Sequence, residues 1–284
     1  MKWGVGMERK NKRWSSIINL RTYTMVAVLI LVFLLAGALT KGTFFTPRNL
    51  SNLFRAMSIT GVIALGMVMI MISGNIDLSV GAVAALCGGM AAILQVWYGW
   101  STGAAILLVL VLGAALGTWS GFWVAFCHLP AFIVTLGSQL IIRGIYLVIS
   151  QGITITPIRE SFSMISQSYL PAQFGVALGI VGGAALTIAY LAKRRSRKKY
   201  GFQNSPVAFM IMKIIFTWVI IGAFVLTLNR FKGIPTPVMI LIVLSIVFIF
   251  LTTRTRFGRR IYAIGGNREA ARLSDINVRS YIMK

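Results

Sequence analysis

Repeated runs of about twenty apolar residues limit the fold of this chain more than any other feature. A run of that length crosses the hydrocarbon core of a bilayer as one helix. Charged residues make up only 12% of the 284 residues and hydrophobic residues 57%, whereas soluble domains carry about 25% charged residues. A soluble chain of this size could not bury so much apolar surface in one core. The sequence therefore predicts an all-α fold, a polytopic transmembrane helical bundle.

Eight apolar segments predict about eight spans. They cover residues 24–40, 57–74, 78–98, 102–126, 130–150, 172–192, 207–228 and 236–253. Because the link between the second and third is very short, these two could also form one long pair joined at membrane depth. We predict a basic cytoplasmic N-terminus over 1–23, a transmembrane domain over 24–253 and a cytoplasmic segment over 254–284.

The basic residues indicate the orientation of the spans. The chain has 28 Lys and Arg against 5 Asp and Glu. Most of these cations precede the first span, join the sixth to the seventh or follow the last, so the positive-inside rule predicts that both termini are cytoplasmic. A nucleic-acid-binding protein would instead gather its cations on one folded face. The expected partner of this surface is the lipid bilayer, and no nucleic acid is expected.

Two spans carry glycine at every fourth position, a pattern typical of close helix packing in membranes. One stripe consists of Gly113, Gly117 and Gly121; the other consists of Gly175, Gly179 and Gly183. Both packing within this chain and packing against a second copy would use such stripes.

The sequence SGNIDLSVG, between the second and third spans, holds Asp77, the one acid in the apolar part of the chain. A carboxylate at membrane depth is costly, which makes a functional role the default hypothesis. The alternative is that Asp77 and Ser79 cap the following helix, and Asn75 suits either role. In the fifth span, Arg143 follows Gln139; the arginine either snorkels to the interface or points inward with Asp77 as its partner. These five residues are the candidates for a translocation path or a helix cap.

Motifs for catalysis are missing from the sequence. It has no GxxxxGK[ST] phosphate loop and no GxSxG nucleophile elbow. One histidine cannot supply a multi-histidine metal site, and five acids leave little for acid–base chemistry. We therefore expect a protein that is not an enzyme, with no catalytic residues and no metal ligands. A secondary transporter driven by an ion gradient through Asp77 remains an alternative.

The tail GRRIYAIGGNREAARLSDINV predicts a short exposed helix after the last span. Gly265 and Gly266 are expected to break the chain. Asn267 can cap the next helix by accepting a backbone hydrogen bond, and Glu269 falls in its first turn, where the helix dipole favours an anion.

Three blocks resemble a known family in the same order. They are NLFRAMSITGVIALGMVMIMISGNIDLSVG, FIVTLGSQLIIRGI and RTRFGRRIYAIGGNREAARLSDINV. They are similar to the permease subunits of bacterial ABC monosaccharide importers of the ribose/xylose class. The segments SQSYLPA, 193–199 and GIPTPV are similar to the xylose members of that family. The resemblance implies alternating-access import of a sugar, with D-xylose expected, across the bacterial cytoplasmic (inner) membrane.

The resemblance also implies partners. These are a cytoplasmic ATPase subunit that binds the ATP, so that this chain holds no cofactor, an extracytoplasmic sugar-binding protein and a second permease copy. The third block is the part of the family that meets the ATPase. That role carries over to these residues of this chain: Gly265, Gly266, Asn267, Glu269, Ala270 and Ala271.

The sequence departs from the family pattern in two places. Family members commonly have Gly or Glu where this chain has Asn75. Family chains also continue beyond the third block with further spans, whereas the residues SYIMK do not resemble that continuation. We therefore expect a C-terminally truncated permease, with a non-functional truncated permease as a further alternative.

Overall fold

The computed structural model describes residues 24–203 and 205–283, so the predicted N-terminal segment 1–23 lies outside the described residues. The described part is mainly helical, with one two-residue strand pair and a short 3-10 turn at Thr43–Phe45. The twelve helices of that part are α1 (Thr24–Leu39), α2 (Pro47–Ile72), α3 (Val80–Val96), α4 (Thr102–Ala125), α5 (Ala131–Ser150), α6 (Glu160–Gln167), α7 (Ala172–Lys199), α8 (Val207–Asn229), α9 (Thr236–Arg254), α10 (Arg256–Gly266), α11 (Arg268–Leu273) and α12 (Val278–Met283).

Six helices are long and apolar enough to cross a membrane, namely α2, α4, α5, α7, α8 and α9. Two shorter apolar helices, α1 and α3, coincide with the first and third predicted segments. The prediction of an all-α polytopic bundle is therefore confirmed, and six of the predicted spans have the length and composition of a membrane-crossing helix.

Helix α2 begins at Pro47, ten residues before the predicted start at 57. Thr46 caps it, because its hydroxyl accepts a hydrogen bond from the backbone N–H of Asn49 at 3.4 Å, and proline is favoured at the first helical position. The polar residues of the first turns hid this start from the hydropathy pattern. Non-helical residues Ser73–Ser79 join α2 to α3.

The helices pack in a few main pairs. Helix α2 packs on α9, α3 on α4 and α5, and α7 on α8. At one end of the bundle, strand β1 (Tyr169–Leu170) pairs antiparallel with strand β2 (Ile234–Pro235). Only 6% of the most apolar window of α8 is buried within the chain. Its apolar surface therefore faces outward, as is required where lipid is the solvent.

The glycine stripe of α7 lies against α8 in the same chain. A Cβ atom added at Gly179 would lie 2.9 Å from Val225, and one added at Gly183 would lie 2.9 Å from Trp218. The indole N–H of Trp218 also donates to the hydroxyl of Thr187 on α7, at 3.1 Å. Packing within the chain is therefore the role of this stripe.

We expect Gly183→Val to destabilise the protein by about 1–3 kcal/mol, because the added methyl groups overpack the α7–α8 contact. The matched control is Gly182→Val, since no atom lies within 4 Å of a Cβ at Gly182. Thermal unfolding of the purified chain in detergent measures both changes. Equal shifts of Tm in the two variants would contradict the packing described here.

Candidate functional site

The linker between α2 and α3, Ser73–Ser79, holds the candidate acid. One carboxylate oxygen of Asp77 accepts hydrogen bonds from the backbone N–H and the hydroxyl of Ser79, both at 2.7 Å. Ser79 is buried, and Asn75 donates from its side-chain amide to the hydroxyl of Ser73 at 2.9 Å. The carboxylate of Asp77 is thus held at the start of α3.

Thr135 of α5 joins the linker to its neighbouring helix. Its hydroxyl accepts a hydrogen bond from the backbone N–H of Leu78 at 3.0 Å and lies 2.9 Å from the carbonyl oxygen of Ala131. Thr135 is only 4% exposed. Its hydroxyl therefore provides a buried acceptor for the backbone N–H of Leu78, which lies outside any helix and has no helical hydrogen-bond partner. The sequence reasoning did not select this threonine. Its position as a polar residue in the apolar run FIVTLGSQ was the available signal.

The linker forms part of the wall of a cleft of about 540 Å³ between α2, α4, α9, α10 and α12. A mainly apolar cleft of this volume with a few polar groups is typical of small-molecule sites. Its polar wall comprises Ser73, Asn75, Asp77, Thr118 and Ser120.

Two candidates on α5 lie away from this cleft. Gln139 and Arg143 are not among its lining residues, and Arg143 is exposed. Arg143 follows Thr135 by eight residues, or about 12 Å along the helix. Within residues 24–203 and 205–283, the one ion pair is Arg272–Glu269. The alternative in which Arg143 pairs with Asp77 is therefore not found among the described residues, and the exposed arginine fits snorkelling to the interface.

The predicted break at Gly265 and Gly266 is wrong. Both glycines are helical and end α10. The chain turns one residue later, at Asn267, with φ −155° and ψ 104°. Its side-chain oxygen accepts a hydrogen bond from the backbone N–H of Ala270 at 2.9 Å, which confirms the predicted cap.

Helix α11 presents most of its surface to solvent. Glu269 lies in its first turn and pairs with Arg272 at 2.6 Å, with both side chains more than half exposed. Ala271, by contrast, is only 4% exposed. Of the two alanines predicted to contact the ATPase, Ala270 is therefore accessible on this surface and Ala271 faces the protein.

Gly265 is required where α10 meets the end of α2. A Cβ atom at this position would lie 1.8 Å from the carbonyl oxygen of Ile72, a distance that no side chain tolerates. The linker residue Gly74, with φ +80°, lies on the same contact, since a Cβ there would be 3.7 Å from Cα of Gly265. The absence of a side chain at Gly265 therefore allows two backbones to approach closely.

A side-chain hydrogen bond reinforces this backbone contact. One guanidinium nitrogen of Arg268 donates to the side-chain oxygen of Asn75 at 3.2 Å. The linker that lines the cleft and the segment after the last span are therefore in direct contact. Both regions were predicted from the sequence to be functional, but no sequence pattern indicated that they are in contact.

These features define a multi-pass membrane protein with a polar-walled cleft that is contacted by short helices outside the spans. Comparison with known families gives its identity more closely. Residues 49–284 match the model of the family described as "Branched-chain amino acid transport system / permease component". The chain belongs to this family, and the resemblance to permease subunits is confirmed.

Curated relatives extend the comparison. The Xylose transport system permease protein XylH of Escherichia coli K12 is 44% identical over 261 residues, which are 92% of this chain and 66% of that protein. XylH of Haemophilus influenzae is 41% identical over 262 residues, covering 92% of this chain and 70% of the relative. The Ribose import permease protein RbsC of E. coli K12 is 30% identical over 255 residues, which are 90% of this chain and 61% of that protein. This chain thus spans about two thirds of the length of the xylose relatives. No solved structure matches the chain.

The contact between α10 and α2 predicts unequal effects at two adjacent glycines. We expect Gly265→Ala to lower the free energy of unfolding by about 1–3 kcal/mol, since the new methyl group overlaps the carbonyl of Ile72. Gly266→Ala should leave it nearly unchanged, because no atom lies within 4 Å of a Cβ at that position. Thermal unfolding in detergent compares the two variants, and a Gly265→Ala protein as stable as Gly266→Ala would disprove the close approach.

Proposed function

We propose that this chain is the membrane-spanning permease subunit of an ATP-driven importer of D-xylose. The proposal rests on the 44% identity to a xylose permease over 92% of the chain, compared with 30% identity to a ribose permease. The importer belongs in the bacterial inner membrane. ATP-driven transport is favoured over an ion-gradient mechanism because the family is one of permease components and because the carboxylate of Asp77 is bonded to Ser79.

In the proposed topology the chain crosses the membrane eight times, with both termini in the cytoplasm. Helices α1 and α3 supply the two crossings beyond the six long spans. The 17 residues of α3 reach about 26 Å, at the short end of what spans a bilayer. The strongly basic segments 193–199 and 254–268 lie at the ends of α7 and α9, and the positive-inside rule assigns these ends to the cytoplasm. The domain division proposed is 1–23, 24–253 and 254–284.

The ATPase subunit would bind the surface that α11 and its flanking residues expose. Gly265, Gly266, Asn267, Glu269 and Ala270 are exposed there. Ala271 is buried, and it would hold the segment on the protein together with the backbone contact of Gly265 with Ile72. ATP would be bound by the ATPase alone. The sugar-binding protein would dock at the opposite membrane face, and a second permease copy would complete the pathway.

The proposed mechanism follows from the contact between the two regions. When ATP binding draws the ATPase subunits together, it displaces α11 and the end of α10. The close backbone approach of Gly265 to Ile72 and the bond from Arg268 to Asn75 pass this displacement to the linker. Because Asn75 and Asp77 form part of the cleft wall, the cleft changes shape with each ATP cycle.

Uptake of labelled xylose into vesicles tests the function. The vesicles contain this chain together with the ATPase subunit and the sugar-binding protein of a xylose importer. We expect uptake that requires ATP and that unlabelled xylose inhibits more strongly than unlabelled ribose. Ribose as the stronger competitor would contradict the proposed sugar.

The control separates the two energy sources. Asp77→Asn should leave the dependence of uptake on ATP in place, because the proposed role of Asp77 is to shape the cleft and to hold Ser79 at the start of α3. Uptake that proceeds without the ATPase, follows an ion gradient and disappears in Asp77→Asn would replace this proposal with the ion-driven alternative.

A double-mutant cycle tests the transmission step. Asn75→Ala and Arg268→Ala should each reduce the xylose transported per ATP hydrolysed by about 3- to 10-fold, the range that corresponds to loss of one exposed hydrogen bond worth about 1 kcal/mol. If the two residues act through their mutual bond, the double variant loses no more than either single variant. Multiplied losses in the double variant would show that they act independently.

A further inference from the structure

The basic end of α7 is a strongly charged surface that the transport proposal does not use. Helix α7 has 28 residues and is about 42 Å long, whereas the hydrocarbon core of a bilayer is about 30 Å thick. Its apolar part ends at Ala192, and Lys193–Lys199 continues the same helix. Since α7 and α8 both span, their connection 200–206 and this basic end must lie at the membrane surface.

Five of the six cations in residues 193–199 divide between two faces of the helix. Arg194 donates to the carbonyl of Ser205 at 2.7 Å, and Arg197 donates to the carbonyl of Gln203 at 3.2 Å. Residues three apart share a helix face, so these two arginines hold the α7–α8 connection against one side. Three other cations follow the spacing i, i+3, i+4 on a different face and are exposed: Arg195, Lys198 and Lys199.

The chain supplies no nearby sequence of opposite charge. Residues 161–268 contain neither Asp nor Glu. In the described part of the chain the one ion pair, Arg272–Glu269, belongs to α11. The abundant anions at a membrane surface are lipid phosphates, which attract a basic segment next to a span.

Two aromatic side chains follow the cations directly. Tyr200 is 70% exposed and Phe202 is 63% exposed. Aromatic rings of this kind are favoured at the level of the lipid headgroups. Segments that bind an anionic membrane surface typically combine basic residues with exposed aromatic rings.

We infer that Arg195, Lys198 and Lys199, with Tyr200 and Phe202, form a binding surface for the headgroups of anionic phospholipids in the adjacent leaflet. The three cations bind the phosphates, and the two rings insert at the headgroup level. The arginines on the other face keep the α7–α8 connection folded back, which leaves this face open to lipid. The interaction does not depend on which sugar is carried or on the ATPase.

Retention of lipid by the purified full chain tests the inference. The chain is exchanged into detergent containing equal amounts of phosphatidylglycerol and phosphatidylcholine, and native mass spectrometry measures the lipids that stay bound. We expect the wild type to retain phosphatidylglycerol in preference. The triple variant R195Q/K198Q/K199Q should lose that preference by at least about tenfold, since each cation near the surface contributes about fivefold at low salt.

The matched control, K41Q/R230Q/K232Q, removes three exposed cations from connections at the opposite ends of the helices. It should keep the preference of the wild type. The preference of the wild type should fall as salt rises from about 0.05 M to about 0.5 M, because the Debye length shortens.

Five results would overturn the inference. The first four are a wild type without preference for phosphatidylglycerol, an unchanged preference in the triple variant, an equal loss in the control, and displacement of the lipid by millimolar glycerol phosphate, which would indicate a site for free phosphate esters. The charge-retaining variant R195K/K198R/K199R is the control for misfolding. It should bind as the wild type does, and a loss there equal to that of the Gln variant would attribute the effect to damaged structure and reject the inference.

Discussion

A chain surrounded by hydrocarbon must satisfy its own backbone hydrogen bonds, because lipid supplies neither donors nor acceptors. Helices meet this requirement along the spans. The linker Ser73–Ser79 meets it differently, because the hydroxyl of Thr135 pairs the N–H of Leu78 and the carboxylate of Asp77 pairs the N–H of Ser79. Irregular backbone can lie next to the spans here because protein side chains supply its partners. The polar wall of the cleft follows from that arrangement.

The contact between α10 and the end of α2 depends on the same linker. A glycine at 265 lets the backbone of α10 approach the carbonyl of Ile72, and this approach brings Arg268 within reach of Asn75. A backbone contact is stiffer than one between long side chains, since fewer rotatable bonds can absorb a displacement. In the proposed importer, a displacement of α11 would therefore be transmitted to the cleft wall with little reduction in its size.

The sequence predicted the helices well, because each depends on a local signal that composition reveals. Apolar runs located the spans, and Asn267 was correctly predicted as a cap. The start of α2 was missed because polar residues interrupt its first turns, where hydropathy carries no signal. Gly265 was misinterpreted as a breaker, because a glycine that ends a helix and one that admits a second backbone look alike in sequence. The bond between Asn75 and Arg268 joins residues almost 200 positions apart, and no local pattern encodes such a pair.

The two glycine stripes show why spacing alone does not determine function. Both stripes leave one side of a helix without side chains, so that another helix can approach closely. On α7 that face is filled by Val225 and Trp218 of α8, and close packing results. On α4 the same spacing places Gly117 and Gly121 in the wall of the cleft, where a Cβ at Gly117 would meet no atom within 4 Å. Larger side chains there would occupy the space that the polar linker faces, so on α4 the missing side chains keep the cleft open.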